Sequence, residues 1–121
     1  MPTTAHMEQA AAGYARLFAA GDREAWLGLF VENPEIIEPA DAAPRGREAL
    51  EEAFANTVGA GLKVELTPHR IIANGNEAAM HMGIRVGLPD GTVIETSAIE
   101  IYTFTEDGRI ARMRAFLDMP G

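Results

Sequence analysis

The chain reads as an α+β protein, with three N-terminal helices packed on a curved antiparallel sheet around an apolar pocket. Three observations predict it. Apolar residues recur at helical spacing in three segments before residue 60. Beyond Leu62 the apolar residues alternate with a period of two. Two turn signals, Pro89-Asp90-Gly91 and Glu106-Asp107-Gly108, then cut the second half into long strands.

Residues 5 to 20 form the first expected helix, because Met7, Ala10, Ala11, Tyr14, Leu17 and Phe18 make one apolar stripe. Gly21 ends it. Asp22 caps a second helix whose apolar set is Trp26, Leu27, Leu29 and Phe30. Glu35-Ile36-Ile37-Glu38-Pro39 is β-branched and stopped by proline, so a short strand is expected to run into a loop. Leu50, Phe54 and Val58 share one face of a third helix from about Arg47 to Val58, broken by Gly59 and Gly61. Four strands follow. The first runs from Leu62 to Ala73, interrupted near Pro68. The second carries Met80, Met82, Ile84 and Val86 on one face. The third runs from Thr92 to Phe104 and the last from Arg109 to Leu117.

The 121 residues suit one domain, 1–121, and 47% apolar content can fill a core. No apolar run approaches the ~18 residues of a membrane span, and no basic-then-apolar leader opens the chain. Cysteine is absent, which removes disulfides, thiolate metal ligands and cysteine nucleophiles, and the expected setting is cytoplasmic. A net charge of −8 repels phosphate backbones, so nucleic acid is excluded as a partner. The one lysine, Lys63, sits in an expected strand and is a poor Schiff-base candidate. The one serine, Ser97, lacks a nucleophile elbow. His6, His69 and His81 lie in separate elements without metal-ligand spacing, so no metal and no cofactor is expected.

Glu100 is the most informative residue. It stands in the apolar run Ala98-Ile99-Glu100-Ile101-Tyr102 and shares a strand face with Ala98, Tyr102 and Phe104, while Glu95 points to the other face. A carboxyl among apolar side chains must be paired or protonated, and a protonated one can donate a hydrogen bond. The alternative is a strand edge or bulge that turns Glu100 to water. Tyr14 sits on the apolar stripe of the first helix, either as simple packing or with a partner for its hydroxyl. Glu38, between two isoleucines and Pro39, is a loop acid or a site acid. Arg45 and Arg47 read as surface charges. The apolar faces of the strands suit a large apolar ligand and suit an ordinary core equally well.

Together these residues resemble the bacterial Δ5-3-ketosteroid isomerases of the nuclear-transport-factor-like, or SnoaL-like, superfamily. The resemblance runs from about Met7 to Leu117. It rests on the order and spacing of Tyr14 through Ala20-Gly21-Asp22, Leu29-Phe30, Ile37-Glu38-Pro39, Pro44-Arg45, and Gly46-Arg47-Glu48. It continues in Val64-Glu65-Leu66-Thr67, Asn76-Glu77-Ala78-Ala79, Gly108-Arg109-Ile110 and Met113-Arg114-Ala115. The resemblance implies a cone-shaped fold and proton transfer beside a carbonyl through a dienolate. In that family a carboxylate moves the proton, and a tyrosine and a neutral carboxylic acid bind the oxyanion. By position these are Glu38, Tyr14 and Glu100, with Phe30, Phe54, Met82, Ile84, Met113, Ala115 and Leu117 as the implied substrate-binding set.

The chain departs from the family in having glutamate at both acid positions. The extra methylene shifts each carboxyl, and misplacement on the order of 1 Å can cost about 100-fold in rate. Phe54 and Phe30 also stand where some members place supporting tyrosines, so Tyr14 is expected to lack that support. The implied ligand is an apolar, steroid-like carbonyl compound. Epoxide hydrolysis, polyketide-type cyclisation and non-catalytic ligand binding are the rival readings on the same fold. A homodimer is expected through an outer sheet face bearing Ile99, Ile101, Ile110 and Phe116.

Overall fold

The structure is a computed structural model and describes residues 1–118. Helix α1 spans Thr4–Ala20, α2 Arg23–Leu27 and α3 Arg47–Ala55. The strands are β1 Phe30–Ile37, β2 Lys63–Asn74, β3 Glu77–Gly87, β4 Val93–Phe104 and β5 Ile110–Leu117. They form one curved, unclosed sheet in the order β1-β5-β4-β3-β2. Strands β2 to β5 make the expected antiparallel meander, and β1 adds to β5 in parallel. Helix α1 packs against β2 and β3, and α3 against β1. Among the described residues no helix is long and apolar enough to cross a membrane.

Local chemistry explains the helix boundaries. The Thr3 side chain accepts from the His6 N–H to open α1, and Gly21 closes it at φ +78°, where a side chain would be strained. Asp22 accepts from the Ala25 N–H to open α2. That helix is shorter than its apolar set implies, because Gly28 closes it and Phe30 already belongs to β1. Strand β1 in turn begins five residues before the expected Glu35. Its ladder partner is β5, distant in sequence, and its register shifts between Phe30 and Glu35, around Pro34, which has no N–H to give. Helix α3 stops at Ala55, and the Thr57 hydroxyl donates to the Ala53 carbonyl at 2.7 Å as the chain tightens into a 3₁₀ turn, Val58–Ala60. The irregularity near Pro68 is a register shift between Pro68 and Arg70.

One expectation about the sheet faces is corrected. Ile99 and Phe116 do point outward, 46% and 41% exposed, and are register partners on β4 and β5. Ile110 does not join them and is fully buried. The β4–β5 register slips between Thr103 and Phe104, leaving Ala111 as an extra residue, so alternation counted back from Phe116 assigns Ile110 to the wrong face.

Candidate active site

The middle of β4 carries the buried acid. Strand alternation turns Ala98, Glu100, Tyr102 and Phe104 toward the helices, and all four are buried. Glu100 lies between Met80 on β3 and Ala115 on β5, and is 3% exposed. It is the one buried acidic or basic side chain among the described residues. The Tyr102 hydroxyl donates to its Oε1 at 2.5 Å. Burial pushes the Glu100 carboxyl up to about 8. The Tyr102 hydrogen bond opposes that rise, the charge of Glu38 adds to it, and the Tyr14 hydroxyl again opposes it. Glu100 is therefore mostly uncharged at neutral pH.

Helix α1 brings Tyr14 to the same place. Its ring centroid lies 5.5 Å from that of Tyr102 and 5.6 Å from that of Trp26. Burial first, then the negative charges of Glu100 and Glu38, hold the Tyr14 phenol well above its usual range. Burial and the same neighbours do so for Tyr102. Both phenols thus stay protonated and remain donors.

Glu38 follows the last residue of β1, and the backbone pairing of Ile36 with Arg45 folds the loop behind it back onto the strand. Its side chain keeps contact with solvent while the apolar wall raises its carboxyl above the ordinary range. Glu38 and Tyr14 both face a cavity of about 250 Å³ between α3 and the sheet. Trp26, Ile36, Leu50 and Met113 form its apolar wall. Glu38, Asn56 and the Arg45–Glu52 ion pair, 2.6 Å apart, supply its polar groups. Glu100 and Tyr102 are not part of this wall and lie one layer deeper, against Tyr14.

The structure thus brings Tyr14, Glu38 and Glu100 together. Of the seven residues implied as substrate-binding, Met113 lines the cavity. Phe30 packs edge-on to Tyr14, and Phe54 packs edge-on to Phe18. Met82 and Ala115 are buried in the interior. Ile84 borders a separate depression beside His69, and Leu117 borders one beside Pro39. Arg45 is exposed, as expected of a surface charge, but also borders the cavity. His69 and His81 come together across β2 and β3, with ring centroids 5.1 Å apart. Among the described residues no three His, Cys, Asp or Glu side chains converge as metal ligands.

Sequence reasoning misses two functional candidates. Tyr102 places a second phenol beside Tyr14, from a strand, and its hydroxyl donates to Glu100 rather than to Tyr14. Its signal is available in sequence, two residues from Glu100 on the same face. Trp26 reads in sequence only as a packing residue. It is fully buried, and its Nε1 is the one buried side-chain nitrogen or oxygen without a hydrogen-bond partner among the described residues. Leaving such a donor unpaired costs about 1–3 kcal/mol.

With this geometry in view, the known relatives are informative. The SnoaL-like domain family matches residues 11–113. The chain belongs to the SnoaL-like family. It is 31% identical over 114 residues to a steroid Delta-isomerase from Nocardioides simplex, covering 93% of this chain and 90% of that one. Among solved structures it is similar to SalBIII, an epoxide hydrolase/cyclase-like enzyme with a part in pyran ring formation in the polyether salinomycin. That likeness has a TM-score of 0.82 at 29% identity, over 93% of this chain and 91% of SalBIII. This SnoaL-like chain therefore has both an isomerase and a cyclase-like enzyme among its relatives, and Tyr14, Glu38 and Glu100 lie where helix α1, the end of β1 and the middle of β4 converge.

Proposed function

We propose that the protein is an isomerase of the ketosteroid type, transferring a proton beside a carbonyl in a steroid-like ketone. The observation that carries this reading is the buried Glu100, hydrogen-bonded to Tyr102 and set behind Tyr14, which shares the cavity with Glu38. A raised but ionisable carboxylate at the cavity wall suits a base that takes a proton and returns it elsewhere. Glu38 takes the proton from the carbon next to the carbonyl, the electron pair moves onto the oxygen, and Glu38 then gives the proton back further along the conjugated system. Tyr14 donates to the developing oxyanion. Glu100, uncharged, keeps negative charge away from the Tyr14 oxygen from behind, and Tyr102 donates to Glu100. A pre-aimed donor such as Tyr14 is worth about 10²–10³ in rate.

The test is direct, because moving the double bond into conjugation with the ketone creates an ultraviolet chromophore. Purified protein mixed with a Δ5-3-ketosteroid should develop that absorbance, and the Glu38→Gln variant should not. Wild-type protein with no enone formation above the uncatalysed rate would sink the reading.

The likeness to SalBIII supports a second reading. Two carboxyls of different acidity also suit epoxide opening, with neutral Glu100 as proton donor through Tyr14 and ionised Glu38 activating the attacking oxygen. Epoxide consumption without enone formation would select it. The outer face bearing Ile99 and Phe116 supports a homodimer as the further proposal, tested by sedimentation at micromolar concentration.

A further inference from the structure

We infer that Arg114 is a positioning residue for the base: by holding the Ala40 carbonyl, it fixes the loop that carries Glu38 and so sets where that carboxylate stands at the cavity wall. This deepens the proposed function and rests on Glu38 being the base. Glu38 heads a loop that leaves β1 at Ile37 and returns at Arg45, where the backbones of Ile36 and Arg45 pair at 2.8 Å in both directions. Inside the loop the Ala42 N–H donates to the Pro39 carbonyl at 2.8 Å. Among the described residues no hydrogen bond or cation holds the Glu38 carboxylate itself, and burial is the one cause of its rise. The place of the carboxylate therefore depends on the backbone beneath it.

Arg114 reaches that backbone from the outer face of the sheet. It is the register partner of Ile37, the last residue of β1. Its Nε donates to the Ala40 carbonyl at 3.0 Å, across 74 positions of sequence. The guanidinium lies 4.9 Å from the centroid of the Phe116 ring, which steadies its plane. Arg112, two residues earlier on the same strand face, pairs instead with the Glu35 carboxylate at 3.3 Å. Among the described residues Arg114 pairs with no carboxylate, although Asp41 borders the same depression. In a chain with 18 acidic residues, an exposed arginine aimed at one carbonyl two residues beyond the base serves the loop rather than the charge balance. Arg114 does not border the cavity, so it acts through Glu38 and not on the substrate.

The test compares Arg114→Met, which keeps the stem and removes the donors, with Arg114→Lys, which keeps a donor at the end of the stem. Enone formation from a Δ5-3-ketosteroid is the readout. Arg114→Met should lower kcat about 10- to 100-fold, since misplacement on the order of 1 Å can cost about 100-fold, and leave KM within about twofold. Arg114→Lys should recover most of the loss. The Glu38 limb of the pH–rate profile should stay in place, because Arg114 has no charge effect there, and a limb that moves would overturn the inference in favour of an electrostatic role. Melting curves and sedimentation accompany each variant, because Phe116 belongs to the face proposed for the homodimer. Wild-type kcat in Arg114→Met, beside an inactive Glu38→Gln, overturns the inference while Glu38 stands. A loss that Arg114→Lys does not repair, or that follows unfolding or dissociation, also overturns it and leaves Arg114 a structural or interface residue. If the wild type itself forms no enone, the Glu38 reading falls and takes this one with it.

Discussion

Glu95 and Glu100 stand on the same strand and face opposite ways. Glu95 is exposed, with its carboxylate 2.9 Å from the guanidinium of Arg85 on β3. Glu100 lies under the helices, with a phenol as its hydrogen-bond partner and no cation beside it. Water and a cation keep the first charged. Burial and the nearby charge of Glu38 keep the second neutral. One residue type on one strand thus becomes a surface ion or an internal acid through the parity of its position. Glu38 is exposed like Glu95, yet partial burial at the cavity wall by itself raises its carboxyl.

The contrast among these acids breaks most visibly at Glu38. Glu38→Gln should lower turnover by about 10²–10⁴, the usual worth of a general base, without changing the thermal midpoint, measured by enone formation and a melting curve. A variant that retains full activity would remove Glu38 from the mechanism and leave Glu100 as the only functional acid of the three.

The next effect is on stability. Glu100 titrates at about 8 in the folded chain, against 4.5 as its ordinary value. Between those pH values the folded state holds a proton that the unfolded chain has released, so raising the pH favours unfolding. Stability should fall by a few kcal/mol from about pH 4.5 to 8, at most about 1.4 kcal/mol for each step of one in pH, and level off above that range. Urea unfolding across this range should show the slope in wild type and a clearly shallower one in Glu100→Gln, the remainder coming from the raised Glu38 carboxyl. Equal slopes in both would mean that Glu100 is charged in the fold.

A smaller change probes what surrounds the acid. The Tyr102 hydrogen bond favours the ionised form of Glu100, so Tyr102→Phe should raise the Glu100 titration midpoint further, followed by carboxyl carbon resonance. It should also cost about 1 kcal/mol in stability. A midpoint that moves down would show that Tyr102 serves the neutral form instead. Least of all, Glu95→Gln should change stability by no more than about 0.5 kcal/mol in a denaturant series, because exposed ion pairs contribute little. A loss comparable to that at Glu100 would erase the contrast between the two faces.

Taken alone, the sequence determined whatever depends on neighbours along the chain. Helical spacing placed Tyr14 on the buried stripe of α1, and period-two alternation placed Glu100 and Tyr102 on one face of β4. Glycine and the turn residues marked where elements stop. These patterns were legible because side-chain direction repeats every few residues, whatever the rest of the chain does. Only the tertiary structure decided what depends on distant partners. Strand β1 reaches back to Phe30 because β5, some eighty residues on, supplies its hydrogen bonds. Ile110 is buried because the β4–β5 ladder slips by one residue beside it. Most of the implied pocket residues became interior packing, since apolar alternation marks an inner face without saying where that face is left unfilled. The unmatched Trp26 N–H is the clearest case. Whether a buried donor has a partner depends on every atom around it, contributed by elements far apart in sequence, and no spacing along one chain records that.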